Sequence, residues 1–234
     1  MYRGIKIEPP FFEIGPKAYL YGEQMLELAK VADEASARYD VRIILTPQPT
    51  DIRLLAQQTR NVLIFAQHID PIVVGRGLGA ILPEAVKAAG AVGAMLNHAE
   101  RPMTAADLYQ AIRRADEVGL ATIVCASSLG EAEAIAHFAP NIIVAEPTEL
   151  IGTGQSSDIE YVVATTSAVK KINSEILVLQ GAGISNGQDV YNMIRAGADA
   201  TGTTSGIMKA ADPEAMLWEM IEAVRTAWDE RHCK

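Results

Sequence analysis

Glu146 is the residue whose sequence surroundings most favour chemistry. It follows the apolar, β-branched run of residues 142–145, which predicts a buried strand, and it stands directly before Pro147. Proline restricts the backbone on the near side of the following segment, whereas Gly152 and Gly154 permit wide rotation on the far side. A carboxylate at the base of such a hinged loop is suited to removing a proton. The alternative is a solvated acidic residue that closes a strand.

Two further ionisable side chains follow other short apolar runs. Lys17 comes shortly after residues 11–14, and His98 comes directly after residues 93–97. Taken alone, Lys17 could be a surface charge and His98 a satisfied polar residue, and Lys6 competes with Lys17 as a nearby cation. Their chemistry therefore depends on whether the fold brings them together with Glu146.

The order of predicted elements indicates how these residues could meet. Short β-branched runs alternate with amphipathic stretches whose apolar residues recur at i, i+3, i+4 and i+7. Eight runs predict strands, at residues 11–14, 42–46, 62–66, 93–97, 121–126, 142–145, 176–180 and 199–202. Eight such parallel strands predict an α/β fold, a single-domain (β/α)8 barrel over residues 1–234, with its active site at the carboxyl ends of the strands. An open Rossmann-like sheet is the competing topology, but no G-x-G-x-x-G opens an early helix.

Composition excludes several other classes of protein. The chain of 234 residues is 49% hydrophobic, has no apolar run of membrane-spanning length, and carries a net charge of −9. That charge argues against a nucleic-acid partner. The N-terminus shows no secretory pattern, and two cysteines cannot make a disulfide framework, so we expect a cytoplasmic protein without a membrane partner. The histidines and cysteines lack metal-site spacing, so we expect no metal.

Segments of small residues follow the seventh and eighth predicted strands. They are residues 181–185 (GAGIS) and 202–206 (GTTSG), each ahead of a predicted helix. In barrels of this kind, loops at these two positions frequently bind a phosphate through backbone N–H groups. The glycines could equally be simple turn formers before a helix.

Five ordered sequence blocks resemble triosephosphate isomerase, particularly the short form found in archaea. They are residues 66–72 (AQHIDPI), 81–86 (ILPEAV), 97–101 (NHAER), 146–154 (EPTELIGTG) and 181–185 (GAGIS), and the resemblance covers almost the whole chain. It implies a TIM barrel that moves a proton between adjacent carbons of a phosphorylated sugar through an enediolate, without a cofactor.

The resemblance also implies a role for individual residues. Glu146 would be the base, His98 the electrophile and Lys17 the cation beside the substrate, and residues 147–154 would be a mobile loop. The substrate and its phosphate would be held at Gly15, Ile151, Gly152, Gly183, Thr204 and Ser205. Glu100 and Arg101 could instead form a structural ion pair.

Three residues depart from the family pattern. Gly15 stands where the family normally has an asparagine whose amide reaches the substrate, Ala99 stands in place of a serine, and Pro16 restricts the exit of the first strand. Glycine at position 15 predicts a missing polar contact and extra room. We therefore keep two alternatives open: isomerisation of a four-carbon tetrulose phosphate, and a sugar-phosphate-binding barrel that does not turn over.

The loop of residues 68–79 is predicted to be a subunit contact. The resemblance implies a homodimer or homotetramer, and this loop is unusually apolar. On a monomer we expect its apolar side chains to form an exposed patch, which soluble monomers tend to avoid: Ile69, Pro71, Ile72, Val73, Val74 and Leu78.

Overall fold

The strands of this chain close into a barrel. The computed structural model describes residues 4–147, 158–181 and 183–233. Within them, eight parallel strands pair in chain order and the last pairs with the first. The strands are β1 (Phe11–Ile14), β2 (Arg42–Leu45), β3 (Leu63–Ala66), β4 (Gly93–Leu96), β5 (Ala121–Ala126), β6 (Ile142–Ala145), β7 (Leu177–Gln180) and β8 (Ala200–Thr203). The predicted (β/α)8 barrel is confirmed, and the open-sheet alternative is wrong.

The observed strand bounds differ from the predicted bounds by at most one residue at an end. Those of β1, β5 and β6 agree with the prediction, whereas β4 ends one residue early because Asn97 turns the chain with a φ of 56°. β8 is shifted forward by one residue. Its last residue, Thr203, pairs with Ile14, while the side chain of Asp199 caps the neighbouring strand by accepting from the Val178 N–H.

Helices cover the outside of the barrel. They are α1 (Gly22–Tyr39), α2 (Ile52–Gln58), α3 (Pro83–Ala89), α4 (Ala105–Val118), α5 (Leu129–Ala136), α6 (Ile159–Ile172), α7 (Gly187–Arg195), α8 (Ser205–Met208) and α9 (Pro213–His232). Several begin at a side chain that accepts a hydrogen bond from the first turn, as Thr104 does from Asp107 N–H at α4. The predicted apolar faces of α1, α4 and α9 are buried against the strands.

Two apolar layers result from the alternation of side chains along each strand. Phe12 and Ile14 face outward and pack beneath the helices, whereas Phe11 faces inward with residues such as Phe65 and Ile123. Glu13 has the inward orientation of Phe11, because the two are separated by one residue, and it is buried. A carboxyl group therefore lies inside the barrel together with many apolar side chains.

The apolar loop of residues 68–79 is only partly exposed. Val73, Val74 and Leu78 are exposed, as predicted. Ile69 is fully buried, so its predicted exposure is wrong, and Ile72 is half-buried. None of the helices in the described residues has the length and apolar character needed to cross a membrane.

Candidate active site

A cavity of about 770 Å³ opens at the carboxyl ends of the strands. Lys17, His98 and Glu146 all border it, although they come from β1, β4 and β6. The substrate-site residues that line it are Gly15, Gly183, Thr204 and Ser205. Ile151 and Gly152 lie outside the described residues. The competing cation Lys6 is paired with Glu8 on the surface and does not line this cavity.

Lys17 is held in an unusual backbone conformation. Its φ of 48° lies in the left-handed region, which is uncommon for residues other than glycine and tends to occur at functional sites. The side-chain amides of Gln48 and Gln67 both donate to the Lys17 carbonyl at 2.8 Å. The Gln67 amide also donates to the carbonyl of Thr46 at 2.8 Å. These two glutamines fix the lysine from neighbouring strands, and sequence reasoning missed both.

The Lys17 amine forms an ion pair across the barrel mouth. Its Nζ lies 2.6 Å from Glu100 Oε1, and this bond holds the pKa of Glu100 below its usual range. The predicted ion pair between Glu100 and Arg101 is wrong. Arg101 lies 3.5 Å from Asp70, which also contacts His68.

His98 carries its proton on the nitrogen that faces away from the backbone. The N–H of Glu100 donates to His98 Nδ1 at 3.1 Å, so in the neutral ring the proton resides on Nε2. Burial lowers the pKa of His98, the charge of Lys17 lowers it further, and Glu100 opposes both. A helix N-terminus can also lower the pKa of a histidine. The helix after β4 begins only at Ala105, so burial and the lysine are the cause instead.

Asn97 fixes the turn that presents His98. Its Nδ2 donates at 3.0 Å both to the Cys125 carbonyl and to Glu131 Oε1, and its Oδ1 accepts from the Met103 N–H at 2.9 Å. These bonds join the ends of β4 and β5. The left-handed conformation of Asn97 is thereby stabilised directly before the histidine.

Glu146 continues the pairing of β6 beyond the end of the strand. Its N–H donates to the Ala126 carbonyl at 2.9 Å, and its side chain is half-buried. A Cβ atom on Gly181 would lie 3.3 Å from Glu146 Cδ and 3.1 Å from Val144 Cγ1. Glycine at position 181 therefore gives the carboxylate its room. Of the predicted lid of residues 147–154, Pro147 is buried and the remainder lies outside the described residues.

The loops after β7 and β8 are tied to each other on the opposite side of the cavity. Thr203 Oγ1 donates to the Ile184 carbonyl at 2.7 Å and accepts from the Gly206 N–H at 3.1 Å. Gly183 has a φ of 70°, a conformation suited to glycine. Lys209 also lines the cavity and was not predicted.

Gly15 lines the cavity next to two polar side chains. A Cβ atom at this position would lie 3.0 Å from Glu13 Oε1 and 3.3 Å from Thr204 Oγ1. The predicted extra room farther into the cavity stays a prediction. Sequence reasoning missed Glu13, although an acidic residue at an inward position of an apolar strand was a signal for it.

No metal centre is visible in the described part of the chain. Within residues 4–147, 158–181 and 183–233, no three His, Cys, Asp or Glu side chains are grouped so that they could hold a metal ion.

Comparison with known proteins decides the family. The sequence model of triosephosphate isomerase matches residues 16–224. The chain belongs to the triosephosphate isomerase family. The triosephosphate isomerase of Sulfurisphaera tokodaii is 38% identical over 229 residues, covering 96% of this chain and 100% of the relative. That of Methanocaldococcus jannaschii is 39% identical over 206 residues, covering 87% and 94%. Both family members are archaeal, which agrees with the predicted resemblance to the short form.

A solved structure supports the fold. The crystal structure of triosephosphate isomerase from Bartonella henselae superposes with a TM-score of 0.77 at 15% identity, covering 94% of this chain and 100% of that chain. Family membership and barrel architecture therefore rest on separate observations.

Proposed function

We propose that this chain is an aldose–ketose isomerase that interconverts dihydroxyacetone phosphate and glyceraldehyde 3-phosphate. One observation carries the proposal: Lys17, His98 and Glu146 border a single cavity, and the hydrogen bond at His98 Nδ1 leaves Nε2–H available as a donor. The family assignment supports the same activity, because the relatives are named triosephosphate isomerases.

In the first step, Glu146 removes a proton from the carbon next to the substrate carbonyl. The C–H electron pair becomes a carbon–carbon double bond, and the carbonyl electron pair moves onto its oxygen. His98 donates its Nε2–H to that developing oxyanion, and Lys17 adds a fixed positive charge. A neutral imidazole suits this role, and the lowered pKa of His98 keeps it neutral.

In the second step, the proton is delivered to the former carbonyl carbon. The hydroxyl proton of the enediolate moves to the former carbonyl oxygen, and protonated Glu146 then delivers its proton to the second carbon. The carbonyl group is left on the first carbon, so ketose and aldose exchange without gain or loss of electrons. Glu146 is ready for another cycle.

The phosphate group would bind at the loops after β7 and β8. Gly183, Thr204 and Ser205 line that part of the cavity, and Lys209 adds a cation. We propose that Ile151 and Gly152 contribute backbone N–H groups from the lid. Oriented N–H donors and one lysine favour an anion locally despite the net charge of −9.

Steady-state assays on three- and four-carbon ketose phosphates test this proposal. The four-carbon alternative depends on open room beside Gly15, and the side chains of Glu13 and Thr204 border that position, so we expect a clear preference for dihydroxyacetone phosphate. A higher kcat/KM for a tetrulose phosphate would favour the four-carbon alternative. The non-catalytic alternative requires binding of these phosphates without solvent deuterium exchange into any of them.

We also propose a homodimer or homotetramer formed through residues 68–79. The exposed side chains of Val73, Val74 and Leu78 are apolar, and covering them would remove that surface from water. Light scattering at micromolar concentration should give at least twice the mass of one 25.1 kDa chain. A stable monomer would contradict the proposal.

A further inference from the structure

Glu13 lies at the inner end of the cavity, in a place cleared by two glycines. Its side chain lines the same cavity as Lys17 and Glu146. A Cβ atom on Gly15 would lie 3.0 Å from Glu13 Oε1, and one on Gly202 would lie 3.0 Å from Glu13 Oε2. A larger residue at either position would displace the carboxyl group. Glycine at both positions thus leaves space for the Glu13 carboxyl group.

Among the described residues, the hydrogen bonding of this carboxyl group involves one of its two oxygens. Thr46 Oγ1 donates to Glu13 Oε1 at 2.9 Å. Within the part of the chain that the structure describes, no protein group is hydrogen-bonded to Oε2. Because Glu13 lines the cavity, Oε2 can meet a bound molecule there without losing a hydrogen bond from the described residues.

We propose that Glu13 is a substrate-contacting, specificity-determining residue, whose carboxyl group hydrogen-bonds to an oxygen on the carbon chain of the bound sugar phosphate. It takes over the polar contact that glycine at position 15 cannot make. This inference rests on the proposed function, because it assigns Glu13 to the same substrate and the same cavity.

The surroundings of Glu13 favour its neutral form, which can donate a hydrogen bond. Burial raises its pKa to about 8; the bond from Thr46 lowers it, the carboxylate of Glu146 raises it, and Lys17 lowers it. When Oε1 accepts the hydroxyl proton of Thr46, the acid proton is carried by Oε2 and can be donated to a bound molecule. A neutral donor also avoids placing a second negative charge near Glu146. The group that this donor fits is a carbonyl or hydroxyl oxygen of the substrate.

A purely structural role fits the chemistry of the site less well. The apolar side chains buried inside the barrel with Glu13 include Phe11, Ile44 and Leu179. Leucine would fill a similar volume without a polar atom to satisfy. Perturbed titratable groups in clefts are concentrated at functional sites, and Glu13 is both perturbed and in the cleft.

Calorimetric binding of two probes tests the inference in the full-length chain. Inorganic phosphate occupies only the phosphate loops, whereas glycerol 3-phosphate adds a hydroxyl-bearing carbon chain. Glu13→Leu should leave the Kd of phosphate within about twofold and raise the Kd of glycerol 3-phosphate about tenfold, the loss expected for one hydrogen bond. Glu13→Gln keeps a donor of the same size and should stay within about threefold of the parent for both probes.

Ile44→Val is the matched control. Ile44 is paired with Glu13 across β1 and β2 and packs in the same inward cluster, but it does not line the cavity. Its Kd for both probes should match the parent. If Glu13→Leu binds both probes like the parent, or weakens phosphate as much as glycerol 3-phosphate, Glu13 is structural and the inference is wrong.

Turnover separates this inference from the proposed function. In an active parent, Glu13→Leu should raise the KM for dihydroxyacetone phosphate, and Glu13→Gln should not. A parent that turned over no triose phosphate would end the proposed function. The difference between the two probes would still decide whether Glu13 contacts the carbon chain.

Discussion

Lys17 Nζ and Glu100 Oε1 lie 2.6 Å apart, and this ion pair joins the loop after β1 to the loop after β4. The same glutamate donates its backbone N–H to His98 Nδ1. One residue therefore orients the cation through its side chain and the imidazole through its backbone.

Replacing Glu100 by glutamine should impair function more than stability. We expect Glu100→Gln to lower kcat/KM about tenfold, because Lys17 loses its charged anchor. The free energy of unfolding should change by less than about 1 kcal/mol, because the Glu100 side chain is 64% exposed. Glu8→Gln is the control, since it breaks the exposed pair with Lys6. Equal kinetic effects of the two variants would contradict the role of Glu100.

His98 should titrate below the usual range of a histidine. Nitrogen NMR should show a neutral ring at pH 7 with the proton on Nε2, and a pKa below the ordinary 6.5. Lys17→Met should raise the pKa of His98 by removing a nearby positive charge, whereas Glu100→Gln should lower it. Shifts in the opposite directions would show that these two charges do not control the imidazole.

The stability of the protein should carry a pH dependence due to Glu13. Between its ordinary pKa of 4.5 and about 8, Glu13 is protonated only in the folded state, where burial, Glu146, Lys17 and Thr46 together set its pKa. Folding then binds one extra proton. The stabilisation from this group is therefore fully present below pH 4.5, and it is lost as the pH rises from 4.5 to about 8, by about 1.4 kcal/mol per pH unit.

Glu13→Gln removes that dependence because an amide does not ionise. In urea unfolding at pH 5.5, 6.5 and 7.5, the free energy of unfolding of the variant should rise relative to that of the parent with each increase in pH. Parallel pH profiles for the two proteins would mean that Glu13 is not protonated selectively in the folded state.

Glu13 and the residue at position 15 should be mutually dependent. Gly15→Asn alone places a side chain against Glu13 Oε1, so we expect it to lower both stability and kcat/KM. Glu13→Ala clears that space, and the double variant should recover part of the loss, a coupling of about 0.5–3 kcal/mol in unfolding free energy. Additive effects in the double-mutant cycle would contradict a shared space.

Local sequence was sufficient to predict the barrel. Runs such as Ile142–Ala145 are β-branched, buried and bounded by turn residues, so the strand and its bounds follow from the pattern alone. The end of β4 was less predictable. Asn97 directly follows the apolar run and was predicted to be the last residue of the strand. Its side chain instead hydrogen-bonds to Cys125 and Glu131, which are distant in sequence.

Site residues whose chemistry follows from their residue type could be predicted from the sequence. Residues whose role depends on contacts with distant parts of the chain were missed. Lys17, His98 and Glu146 were predicted from their positions at strand ends and from the family resemblance. The left-handed turn at Lys17 depends on Gln48 and Gln67, which only the closed barrel brings to its carbonyl. Likewise, burial raises the pKa of Glu13 to about 8, and residue type alone does not predict that burial.

The most direct test of the proposed mechanism is the turnover of Glu146→Gln with dihydroxyacetone phosphate. The Glu175→Gln variant is the control for the loss of one negative charge, because Glu175 is exposed. We predict that Glu146→Gln lowers kcat at least about a hundredfold, because it removes the general base, while phosphate still stabilises the variant against heat. A kcat for Glu146→Gln within about tenfold of the parent, a difference of about 1.4 kcal/mol in activation free energy, would contradict the assignment of Glu146 as the base.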